Sequence, residues 1–211
     1  MMVREYLEKL WERLSVPDIA AEMPEARREF LARTGEVIEE DPSFDVRMAS
    51  FLDWFLFERP LDNSRLTPLE LLLDSNSLPE EERAVCQQFV GNVHSVFLAR
   101  KLRENQVDLQ DLFTKKSFPV SLTENDLISA FQPSSLVQGR ILPLNGAYFL
   151  SPALFFHPRE VKGLVEQEIK RLKKEGEASP LALIHQLMVM HLKWERYRHV
   201  KIRDIYCFEK K

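Results

Sequence analysis

The segment Phe51–Phe57, FLDWFLF, is apolar at every position except Asp53. A surface helix needs only an apolar stripe, so one that is apolar on nearly every side must be enclosed. The run is far shorter than the roughly 20 residues of a membrane-spanning helix, its flanks are acidic, and no cofactor motif lies beside it. The rest of the chain must therefore surround it. Trp54 and Phe57 are expected to pack in the core, because aromatics at helical spacing usually do. The competing reading makes them the lining of a ligand pocket above Asp53, Glu58 and Arg59. If those charges are enclosed they must be paired, with each other's neighbours or with Arg65 and Asp62, since an unpaired buried ion costs several kcal/mol.

Helical signals surround this segment. Val3, Tyr6, Leu7, Leu10, Trp11 and Leu14 share one face, and Pro17 stops that helix. A second helix is expected from near Pro24, carrying Phe30, Leu31, Val37 and Ile38 until Asp41-Pro42 breaks it. The third runs from about Phe44 to Pro60. Thr67-Pro68-Leu69-Glu70 has the form of a capping box with proline at the first helical position. Ser77-Leu78-Pro79-Glu80 repeats that chemistry before a helix that Gly91 stops.

The pattern changes near residue 93. HSVFLARKL is strand-like, and Val107, Leu109 and Asp111 alternate with Asp108, Gln110 and Leu112. Thr114–Ser117 reads as a hairpin turn, and GRILPL and AYFL flank Asn145-Gly146, a strong hairpin signal. With TENDLISAF as a helical turn, these strands predict a small antiparallel sheet or barrel. Pro143 requires an edge position or a bulge. From His157-Pro158 the helical period returns through Val161, Leu164, Val165, Ile169 and Leu172. Ser179-Pro180 caps a final helix to about Tyr197, and HVKIRDIYCFEKK alternates like a terminal strand. The expected class is α+β: a helical region over 1–92, a small β-unit over 93–157 and C-terminal helices with a basic tail over 158–211, packed as one body.

DWFLFERPL, TPLELLL, HSVFLARKL, VDLQDLFT and GRILPLNGAYFLS together resemble a family of largely uncharacterised bacterial proteins related to those with a SEC-C type cysteine-rich zinc tail. The resemblance spans roughly residues 51–157 and implies an architecture more than an activity. Glu58 stands where the family pattern implies Asp. No C-terminal cysteine cluster is present, so the zinc site is not carried over.

The net charge of −4 is unevenly spread: residues 1–92 carry −10, residues 93–157 carry +1 and residues 158–211 carry +5. Acidic front and basic back can neutralise each other within the chain, or the back can hold an anionic partner. The tail is the most suggestive stretch. Lys193, Arg196, Arg198, Lys201 and Arg203 are its candidate phosphate contacts, and Trp194 and Tyr197 its candidate stacking aromatics. A solvated face neutralised by the acidic front accounts for the same residues.

Catalytic motifs are missing. GxSxG, HExxH and the phosphate-cradling glycine motifs do not occur. His94 and Ser95 are strand neighbours whose side chains must point apart, and Cys86 reads as a small buried hydrophobe. His191, Glu195 and His199 are spread over two helical turns and cannot easily converge on one ion. No metal, cofactor or catalytic residue is therefore expected. The charged N-terminus fits no secretory or transit peptide, and two distant cysteines suit reduced thiols in a cytoplasm. The leading reading is a non-enzymatic bacterial interaction or regulatory module that binds an unknown protein or itself, with no membrane. The second is a weak nucleic-acid-binding accessory protein using the basic tail. The third is a small hydrolase or metal enzyme around His157, His185 and His191.

Overall fold

Local chemistry sets where each helix begins and ends. The computed structural model describes residues 3–75, 78–123, 128–176 and 179–208. Helix α1 (Val3–Arg13) buries Val3, Tyr6, Leu7 and Leu10. Pro17 follows it as the first residue of a one-turn helix, α2 (Pro17–Ala20). Helix α3 (Met23–Thr34) ends before Val37 and Ile38, a correction to the expected span. Gly35 ends it with φ of 95°, a conformation costly for other residues. Ile38 is left exposed.

Helix α4 (Phe44–Phe57) contains the apolar run, and Phe51, Trp54, Phe55 and Leu56 are all buried. Around them lie Phe30 of α3, Leu7 and Leu10 of α1, Leu142 and Leu144 of the sheet and Met188 near the C-terminus. Each such side chain contributes roughly 1.5–3 kcal/mol by burial. Helix α5 (Pro68–Asp74) opens on the expected capping box: Thr67 N donates to Glu70 Oε2 at 2.8 Å, and Glu70 N donates to Thr67 Oγ1 at 3.3 Å. Helix α6 (Glu80–Phe89) starts after Pro79 with three glutamates in its first turn. Ser77, the expected cap, lies outside the described residues.

The strands are β1 (Val93–Arg103), β2 (Gln106–Asp111), β3 (Ser117–Ser121), β4 (Leu136–Leu144), β5 (Ala147–Leu150) and β6 (Phe155–His157). The long β1 pairs antiparallel with β2 along its second half and with β4 along its first. β3 lies on β2, and β5 fits between β3 and β4, parallel to β3 and antiparallel to β4. The order β1-β2-β3-β5-β4 therefore closes on β1 as a five-stranded barrel, with β6 added along β4. Asn145 (φ 51°) and Gly146 (φ 80°) form the tight β4–β5 hairpin. Pro143 sits past Ile141, the last β4 residue paired to β1, so its missing N–H spoils no pairing there. Residues 124–127 of the expected helical turn lie outside the described residues; Ile128–Ala130 form a short 3-10 turn.

Strand alternation divides the side chains. Phe97, Val107, Leu109, Val120, Val137, Ile141 and Leu150 fill the barrel. Gly139 faces a tight spot: a Cβ there would lie 2.5 Å from Leu154 Cδ2 and 2.9 Å from the Ala153 carbonyl oxygen. On the outside of β4, Leu142 and Leu144 meet the N-terminal helices. Leu136, with Val96 and Leu98 of β1, meets helices α7 (Lys162–Lys174) and α8 (Leu181–Arg196).

The expected terminal strand is a helical turn instead, α9 (Ile202–Ile205). A closed barrel offers few free strand edges. The chain instead buries Ile205 and Tyr206 in the same cluster as Leu183, Ile184 and Leu187 of α8. The architecture is α+β, a central barrel with helices before and after it. Among the described residues no helix is long and apolar enough to cross a membrane.

Candidate functional site

The end of α4 meets the outer faces of β1 and β4 through buried charges. His94 and Arg140 are directly paired across β1 and β4, so both project from the same side of the sheet toward the helix. Arg140 Nη2 donates to Glu58 Oε1 at 2.5 Å, and His94 Nδ1 lies 2.6 Å from the same oxygen. Arg140 also donates to Asn92 Oδ1, and its guanidinium stacks over the Phe57 ring at 4.6 Å. One turn earlier, Asp53 accepts from Ser151 Oγ, and its Oδ2 lies 3.9 Å from Arg140 Nε.

Burial dominates the protonation of this cluster. It pushes Asp53 up to about 6, against the opposing pull of Arg140 and Ser151. Burial would raise Glu58 too, but His94 and Arg140 overcome it and hold the carboxyl low. For His94, burial and Arg140 outweigh Glu58 and lower its pKa. Arg140 is then the lasting counter-charge of both carboxylates.

Arg65, one of the partners expected for these charges, is not the partner of Asp53, which instead meets Ser151 just after β5 and Arg140 of β4. Arg59 is held separately by Glu22 at 2.6 Å and Glu29 at 3.0 Å, with Asp62 at 3.5 Å. Trp54 packs in the core against Phe30 and His185, while Phe57 lies under Arg140. Ser95 faces away from His94, into the barrel, and donates to Asp111 Oδ1 at 2.7 Å. A His–Glu pair of this kind can hold or pass a proton. A nucleophile would have to be bonded to His94, and among the described residues no hydroxyl or thiol is.

A second buried network joins the helices behind the barrel. His157 Nε2 lies 3.1 Å from Gln138 Oε1, and its Nδ1 lies 2.9 Å from the Tyr206 hydroxyl. The amide oxygen can only accept, so Nε2 carries the proton and Nδ1 accepts from the phenol. Burial, with His191 and Arg47, drives the His157 pKa well down. The His191 ring lies 5.6 Å from that of His157, with its Nδ1 3.5 Å from Glu195 Oε2. Ser43 Oγ donates to Glu195 at 2.5 Å and accepts from Arg47 Nε at 3.0 Å. Arg47, fully buried, donates on to the carbonyls of Thr34 and Met188, tying α3, α4 and α8 together. His185 stands apart, edge-on to Phe30 and Trp54, so the three histidines share no centre. Among the described residues no group of three His, Cys, Asp or Glu side chains could hold a metal ion.

The tail residues are divided. Arg196 forms a two-pronged pair with Asp41, at 2.9 and 2.5 Å, which joins the basic end of the chain to the acidic front. Arg198 lies over the Trp194 ring at 3.6 Å. Lys193, Lys201 and Arg203 are exposed, and Tyr197 is half-exposed. Sequence reasoning missed a different basic surface. The helices contact the barrel through α6 on β4 and α8 on β1. Arg100, Lys101 and Arg103 on β1 and Lys115 and Lys116 in the β2–β3 turn are exposed on the side of β1, β2 and β3. There Arg103 bonds Asp108 and Gln106, and Arg100 bonds the neutral Gln110.

The geometry defines an α+β protein with a five-stranded barrel clamped to helices by buried ionic and hydrogen-bonded networks. A family model for a family of unknown function, DUF7986, matches residues 7–180, and the chain belongs to that family. No curated protein and no solved structure matches it.

Proposed function

We propose that this chain is a non-enzymatic interaction module whose barrel offers its β1–β2–β3 side to an acidic partner. One observation carries the reading: Arg100, Lys101, Arg103, Lys115 and Lys116 are exposed on that side of a chain whose net charge is −4. Even with the exposed Glu104 and Arg103's partner Asp108 on the same hairpin, cations outnumber carboxylates there, and an excess of one charge steers an oppositely charged partner. The titratable groups best suited to chemistry support it too, since Asp53, Glu58, Arg140 and His157 already hold helices to strands. The likeness to bacterial SEC-C type proteins and a cytoplasmic setting belong to the same reading. Its test is a photo-crosslinking residue placed at Lys101 or Gln110, with the exposed Ile38 on the helical side as control. The module reading requires a discrete crosslinked species from the barrel positions alone; labelling that is equal at Ile38 would count against it.

A second reading, single-stranded nucleic acid on the same face, is favoured by connectivity. The order 1-2-3-5-4-1 with β3 parallel to β5 is that of oligonucleotide- and oligosaccharide-binding barrels. This is an analogy of fold, and fold alone does not fix function. Affinity for an unstructured oligonucleotide should then fall with salt, with a log–log slope of about −3 for four phosphates; a flat response would remove this reading.

A further inference from the structure

Helices α3, α8 and α9 enclose an open groove of about 630 Å³ on the side of the molecule where α3 packs on α8. That volume lies within the roughly 300–1,000 Å³ of small-molecule sites. Its lining is amphipathic: Arg33, Lys193, Gln186 and His185 supply polar groups, and Met190 and Ile205 supply apolar surface. The cations are poorly neutralised. Arg33 lies 3.8 Å from Glu29, a carboxylate already bonded to Arg59 at 3.0 Å. Lys193 has no ion pair among the described residues. His185 is more than nine-tenths buried, and its Nε2 has no hydrogen-bond partner. Burial brings its pKa down to about 4, so the ring is neutral at pH 7.

We propose that this groove binds a small organic carboxylate with a short apolar body, its head between Arg33 and Lys193 and its body against Met190 and Ile205. Two cations over an apolar floor discriminate against a neutral alcohol, which leaves them unpaired, and against inorganic phosphate, which leaves the floor wet. The site is separate from the barrel face and goes beyond the interaction-module reading.

Cys207 provides the readout, because it is exposed and lines the groove. Cys86 is 1 % exposed, with its thiol pushed up to about 11 by burial, so it stays silent. The rate of Cys207 alkylation by N-ethylmaleimide is measured against hexanoate, hexanol and inorganic phosphate at equal concentrations. Hexanoate should slow alkylation saturably and the other two should not. Lys193→Met and Arg33→Met should each shift the hexanoate midpoint up by about tenfold, the loss of one charge-assisted contact, with unchanged melting. The proposal is overturned by an alkylation rate insensitive to hexanoate. Equal protection by hexanol or by phosphate, or protection unaltered in both variants, overturns it as well.

Discussion

Arg140 reaches from β4 to within 2.5 Å of Glu58, the residue that follows the last turn of α4, and so fixes the apolar helix to the barrel. With Arg140 only 2 % exposed, the pair is shielded from water and salt. Removing one partner strands the other charge in the interior.

Arg140→Met should therefore destabilise the fold by about 3–5 kcal/mol, the range for breaking a buried ion pair from one side. Adding Glu58→Gln in the same chain should recover part of the loss. Urea unfolding of the two single variants and the double variant measures this coupling; strictly additive losses would show that the two residues do not interact.

Asp53 gives a pH dependence of definite sign. Its folded pKa, about 6, lies above the 3.8 of a free aspartate side chain. Protonation favours the folded state, so this contribution is complete below about pH 4 and is lost as pH rises through 6. Asp53→Asn should grow more stable relative to the parent between pH 5 and pH 8, by up to about 1.4 kcal/mol of the roughly 3 kcal/mol that a shift of about two units carries over the whole range. Denaturant midpoints of both proteins at the two pH values test this, and a difference constant with pH would contradict it.

The helix cap is a smaller, local case. Thr67→Ala removes the acceptor for Glu70 N and should cost about 1 kcal/mol. Thr67→Ser should cost much less, because the hydroxyl remains. Thermal melting of both variants distinguishes the lost cap from a general disturbance of the exposed turn.

Close packing makes the next prediction. Gly139→Ala would set a Cβ against Leu154 and the Ala153 carbonyl. Overpacking of this kind typically costs about 1–3 kcal/mol. Leu154→Ala in the same chain should relieve the side-chain part of the clash, and a double variant no better than Gly139→Ala alone would place the strain in the backbone.

Features carried by neighbouring residues were legible in the sequence. The Thr67–Glu70 box, the Asn145-Gly146 turn and the inward set Val107 and Leu109 all depend on contacts a few residues apart. The enclosed helix was readable as well, because Phe51–Phe57 leaves no polar side to face water. The partners of its charges were not. Arg140 meets Glu58 across 82 positions, and Asp53 meets Ser151 across 98. The docking of α4 on β4 and the pairing of β4 with β5 set those meetings, and alternation fixes which face a side chain takes, not which element lies beside it. The C-terminal alternation misled for the same reason: Val200, Ile202 and Asp204 look like a strand, but the closed barrel left them a helix to pack on. The basic barrel face escaped notice because a nearly neutral middle region averages Arg100, Lys101, Arg103, Lys115 and Lys116 with carboxylates, one of which, Asp111, is buried against Ser95 rather than on that surface.

The central claim is that the barrel's basic face is the binding surface. The most direct measurement compares the parent chain with a Lys101→Glu, Lys115→Glu, Lys116→Glu variant by native-mass analysis of the complexes each forms in its source cells. All three side chains are exposed, so the variant should melt like the parent. The account predicts that its complex is lost while Lys201→Glu with Arg203→Glu, on the tail, leaves the complex in place. A complex that survives reversal of the barrel face but not of the tail would contradict it.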